Sequence, residues 1–110
     1  FLTLCLLLIS FNTEASIICH TPRMNKIFEV NGKKITFFNE FDSQNKRELA
    51  SVIAKTKSND KGVTNTVNFE NHKHIIHIAD ENALSDLNDY IIIKSRNGHE
   101  VTYPLTCEKK

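Results

Sequence analysis

SQNKRELASVIAKTK, residues 43–57, is the stretch with helical patterning, and it sets the expected fold class. It contains no Gly and no Pro, and Asp42 and Ser43 precede it as capping residues. Leu49, Val52 and Ile53 fall at i, i+3 and i+4, with Ala50 and Ala54 beside them, so one helical face is apolar. Lys46, Arg47, Lys55 and Lys57 lie largely off that face, as a solvated side does. The spacing predicts a helix over 43–57.

Toward the N-terminus, IFEVNGKKITFF (27–38) sets two β-rich runs around Asn31-Gly32. That dipeptide supplies the positive φ angles of a type I′ turn, which predicts a hairpin with strands at about 26–30 and 33–38. Toward the C-terminus, residues 58–62 read as a loop. Residues 63–69 alternate, putting Val63, Asn65, Val67 and Phe69 on one side of a strand. Glu70-Asn71 turns the chain into a strand at 72–79, and the polar residues 80–88 form a loop. The apolar run at 89–95 fits a buried strand, 96–98 turn, and 99–105 return as a last strand. Pro104 marks a strand end or an edge. The order is two strands, one helix and four strands with short connections. That is an antiparallel sheet with a helix on one face, the α+β class.

The chain has 110 residues, room for one domain. Lys plus Arg number 14 and Asp plus Glu 13, a net charge of +1, which gives no evidence for a strongly basic nucleic-acid binder or an acidic tail. With 40% hydrophobic and 25% charged residues the composition is globular rather than disordered. FLTLCLLLISF (1–11) is shorter than the roughly 20 apolar residues that span a bilayer. It fits the apolar region of a secretory signal peptide over 1–15, truncated at its start, ahead of a single domain over 16–110. Cleavage after Ala15 or Ser16 leaves 14 bases against 12 acids, a net of +2.

Cys5 leaves with that segment, and Cys19 and Cys107 remain near the two ends. In an oxidising compartment an even count suggests a bridge; the chain-entropy model gives roughly 4–5 kcal/mol for a loop this long, and measured values are often lower. Two free thiols or an intermolecular bond are the alternatives. Of the five histidines, His72 and His74 share a strand face and His77 points away. With no CxxC or HExxH spacing, no metal site and no cofactor are expected. Glu70, His72, Lys73, His74, Arg96 and His99 are pieces from which acid–base cleavage of a phosphodiester could be built, but no spacing fixes them in mutual reach. A Gly-rich phosphate loop and a GxSxG motif are absent, and with no Trp and two Tyr a stacking platform would fall to Phe.

Ile17-Ile18-Cys19 just after the leader, the hairpin, the expected helix, DYIIIKSRNG (89–98) before a return strand, and the closing Cys107 together resemble the small secreted fungal guanyl-preferring ribonucleases. They resemble more closely the ribonuclease-like secreted effectors of powdery mildew fungi. The resemblance implies a microbial-ribonuclease-like fold that has lost its chemistry, with no catalytic residue. The catalytic Glu would lie on 72–79, which has no carboxylate; the Arg would stand at Tyr90, and the acid His at Tyr103-Pro104. It further implies a secreted monomeric effector with no membrane association, acting in the plant host cell. There it would bind a host protein or, weakly, RNA, suppress immunity, and meet an intracellular immune receptor as an avirulence factor. His72, His74, Arg96 and His99 are the candidate residual contacts with RNA or partner, and exposed residues of the helix and of the 58–62 and 80–88 loops the candidate recognition surface. Two alternatives stand beside it. One is an active secreted ribonuclease using Glu70, His72, His74, His77 or His99, and the other a secreted protease inhibitor presenting the 80–88 loop.

Overall fold

In the computed structural model, which describes residues 16–21, 26–39 and 48–110, the stretch expected to be helical is extended wherever it is described. The α+β expectation is therefore corrected: the described residues form ten strands and no helix. The strands are β1 (Ile17–His20), β2 (Lys26–Asn31), β3 (Lys34–Asn39), β4 (Glu48–Ile53), β5 (Lys55–Asn59), β6 (Gly62–Phe69), β7 (His72–Ile78), β8 (Tyr90–Lys94), β9 (Glu100–Pro104) and β10 (Thr106–Lys109). Residues 1–15 and 43–47, on which the leader and the first part of the expected helix fall, lie outside the described residues.

The apolar residues of 48–54 carry two periods at once, and burial selects the shorter. Ala50 and Val52 stand opposite Phe37 and Ile35 of β3, and Ala54 is buried with them, while Leu49 and Ile53 are 45% and 71% exposed. Leu49 is the extra residue of a bulge between Phe37 and Phe38. A half-buried alternation facing Phe37 outweighs a local helical stripe, because propensity is a weak prior against tertiary packing. β5 carries no apolar residue and is exposed along its whole length; pairing with β6 alone makes it a strand. Its Lys55 and Lys57 are the kind of residue that discourages further edge pairing.

All ladders are antiparallel, in two five-stranded sheets ordered β10-β1-β2-β3-β4 and β5-β6-β7-β8-β9. The chain changes sheet at two buried single-residue corners. Ala54 joins β4 to β5 and donates its N–H to Lys33 O at 2.6 Å; Leu105 joins β9 to β10 and donates to Asp89 O at 3.0 Å. With each bent pair counted as one strand, the described strands form an eight-membered up-and-down ring, a flattened barrel whose corners are strands that switch sheets. Eight strands leave an interior that side chains can largely fill. Phe28, Ile35 and Phe37 from one sheet meet Phe69, Ile76 and Ile91 from the other, and Phe37 stacks on Phe69 with centroids 3.9 Å apart.

Among the described strands, every ladder but one joins neighbours in the chain. The exception, β1 with β10, closes the ring, and there Cys19 and Cys107 stand opposite each other and are bonded across 88 residues of sequence. The expected 27–38 hairpin is present with a shifted turn. Its loop is Gly32-Lys33, and only Gly32 has positive φ (62°), which fits type II′ rather than I′. The I′ signature, positive φ at both loop residues, falls at Glu70 (51°) and Asn71 (63°). The 58–62 loop is corrected to a tight hairpin between β5 and β6. Gly62 (φ 127°) is required there: a Cβ would sit 2.3 Å from Ile78 O and 2.7 Å from Ala79 Cα.

Candidate functional site

Paired residues in a ladder share a face, so register alone maps the outer surface of the second sheet. Its rows read Asn68–Lys73–Lys94–Glu100, then Lys55–Thr66–Ile75–Ile92–Thr102, then Lys57–Thr64–His77–Tyr90–Pro104. Four lysines and a single acid occupy these rows, and that acid, Glu100, pairs with Lys94 at 3.8 Å. Lys73 and Lys94 face each other directly across adjacent strands, an arrangement that repels and is retained at some cost. Together with Arg96 they line a groove of about 660 Å³ that runs under the β6–β7 and β8–β9 turns. Glu70, on the same groove, is paired with Lys26 at 3.2 Å. Two rows away, roughly 13 Å at the rise of a strand, the His77 ring stacks on Tyr90 with centroids 4.8 Å apart. Thr64 and His77 share a hydrogen bond of 3.1 Å that holds the imidazole in place.

The β8–β9 turn is built to hold its basic tip. Ser95 N–H donates to His99 O at 2.9 Å and Gly98 N–H to Ser95 O at 3.1 Å. The Ser95 hydroxyl donates to Asn97 Oδ1, and His99 N–H donates to the same oxygen at 3.3 Å. His72 and His99 then line one small pocket of about 140 Å³ with Tyr103. His72 and Arg96 line the neighbouring depression with Asn97. His72 Nδ1–H donates to Glu70 O at 2.8 Å, which leaves its Nε2 as the free ring nitrogen.

Three of the four candidate contacts, His72, Arg96 and His99, therefore meet at one end of the barrel, and His74 does not join them. Its side chain is buried, 4% exposed, edge-on to Phe37 and Phe69, and donates Nδ1–H to His72 O at 3.1 Å. Burial is the larger influence on its pKa and holds it below 6.5; the bond to His72 O opposes this. His74 is a core residue.

Lys55, Lys57, Lys73, Lys94 and Tyr90 are not legible as one surface in the sequence, because the first two lie in a helical pattern and the other three sit on two strands, β7 and β8, that only register aligns. Asp89 owes its place to structure: it is 1% exposed, and its carboxylate accepts from Ala79 N–H at 2.9 Å and Ser85 N–H at 3.0 Å, tying the 79–89 loop to β8. Leu87, at 89% exposed, stands out from that loop. Among the described residues no group of three or more His, Cys, Asp or Glu is placed to hold a metal ion. No protein-family model, curated protein or solved structure matches the chain.

Proposed function

We propose that this chain is a secreted, disulfide-closed binding protein that acts without catalysis on single-stranded RNA, through the outer face of its second sheet. The observation that carries the reading is the Lys73–Lys94 opposition beside Arg96, which Glu100 offsets only in part through its 3.8 Å contact with Lys94, a charge arrangement that an anionic ligand would relieve. Phosphates would lie along the groove and across to Lys55 and Lys57, and a base would stack at His77–Tyr90. In this reading an effector needs no ribonuclease fold: the binding face is a property of strand register, and the all-β ring supplies it. Contact with about four phosphates implies a salt slope near −3, so affinity should fall about 50-fold between 50 and 200 mM salt.

A second reading rests on His72 and His99 lining one pocket with Arg96 beside it, the parts of an acid–base phosphodiesterase. One experiment separates the two. A labelled single-stranded RNA is titrated with the oxidised protein at both salts, and its length is followed over hours. Binding with the steep salt dependence and an intact RNA supports the proposal. Cleavage abolished by His72→Ala or His99→Ala overturns it in favour of the ribonuclease. Absence of both overturns both and directs the search to a protein partner.

A further inference from the structure

At the end of the barrel away from the basic groove, the two sheets part around a cavity of about 440 Å³. That lies inside the roughly 300–1,000 Å³ range of small-molecule sites, and barrel mouths are a common place for them. Ile17 and Val30 wall it from the first sheet, Val63 and Ile78 from the second. Among these apolar residues sits one hydrogen-bonded polar pair: the Thr56 hydroxyl donates at 2.6 Å to Oδ1 of Asn65, which is only 2% exposed. A carboxamide at that depth is a costly choice for a wall that needs only to be filled. The rim differs from the wall. Asp80 and Glu81 stand there against one base, Lys33. Asp80 is partly engaged, accepting from Asn82 N–H at 2.9 Å, while Glu81 is exposed.

From this lining we infer a second binding site, separate from the RNA face, for a small apolar molecule carrying one ammonium group. The apolar body fills the space between Val30 and Ile78, and the cationic head stays at the mouth beside Glu81 and Asp80. A carboxylate of the same shape meets the two rim acids and is disfavoured.

The chain has no Trp, so an indole probe excited beyond the absorption of its two Tyr can be read by fluorescence. Tryptamine and indole-3-acetate present the same ring with opposite charge and are titrated against the oxidised protein. The expected result is saturable binding of tryptamine at least tenfold tighter than of indole-3-acetate. Glu81→Lys, on the exposed rim, should cut that preference at least fivefold with the fold intact. Val63→Phe, which fills the cavity, should abolish binding of both. Equal affinities, tighter binding of the acetate, tryptamine binding unchanged in both variants, or no saturable binding of either probe would each overturn the inference.

Discussion

The two sheets share one core and differ in what closes them and in what they turn outward. The first is closed by a covalent bond, Cys19–Cys107, at its one sequence-remote ladder, and its outer face carries the row Glu108–Ile18–Glu29, in which Glu29 pairs with Lys110 at 3.1 Å. The second is a plain meander with no covalent tie; its shape rests on the Gly62 turn and on buried Asp89, and its outer face carries Lys73 beside Lys94. A net charge of +1 averages this difference away. Charge segregated by face is a property of register, and only the folded ring displays it.

The comparison can be broken from either side. The largest effect is expected in the second sheet. Gly62→Ala forces a Cβ against the β7 backbone at a φ that side chains avoid. It should cost about 3–5 kcal/mol in urea unfolding, overpacking and strain together. A loss below about 1 kcal/mol would show that the turn relaxes freely. Next comes the covalent closure. Replacing Cys19 and Cys107 together by Ser should cost about 3 kcal/mol. Hydrogen exchange should then rise first at Ile17–His20 and Thr106–Lys109 and leave β6 and β7 protected. Uniform loss of protection would deny the first sheet its separate closure. Asp89→Ala strands the half-buried N–H groups of Ala79 and Ser85 and should cost about 2 kcal/mol, with Asp89→Asn milder.

Much of the second sheet was legible in the sequence. Alternation at Val63–Phe69, the breaks at Glu70-Asn71 and Arg96–Gly98 and the polar 80–88 loop mark three of its ladders, because each strand pairs with its chain neighbour. The first sheet was harder. Its 27–38 hairpin was readable, but β1 and β10 are four residues each and exist through one another, so no local signal marks them. The reading failed outright at 48–59. There Leu49, Val52 and Ile53 imitate a helical stripe, and Lys55–Asn59 offers no hydrophobic pattern at all. That error also hid the candidate site, since Lys55 and Lys57 join the basic face only as members of β5. His72, Arg96 and His99 were identifiable as chemistry-bearing residues, and their convergence came from the two turns that carry them.

The smallest stability effect sharpens the contrast at the core between the sheets. Because the folded pKa of His74 is depressed by burial, the unfolded chain takes up the proton more readily. Stability should be full above pH 6.5 and decline as pH falls below it, and His74→Leu should flatten that decline. An unchanged pH profile in His74→Leu would assign the proton uptake to another group.

The central claim, that register rather than net charge makes the binding face, is tested most directly by reversing both faces. Lys73→Glu with Lys94→Glu should weaken single-stranded RNA binding at least tenfold and lower the unfolding midpoint only modestly, since both positions are exposed although the new acid at 94 stands opposite Glu100. Adding Glu29→Lys and Glu108→Lys restores the parent's net charge on the opposite face. RNA affinity measured by fluorescence anisotropy at 50 mM salt should stay lost in this fourfold variant. Recovery of the parent's affinity would contradict the account, because binding would then follow total charge and not the face that presents it.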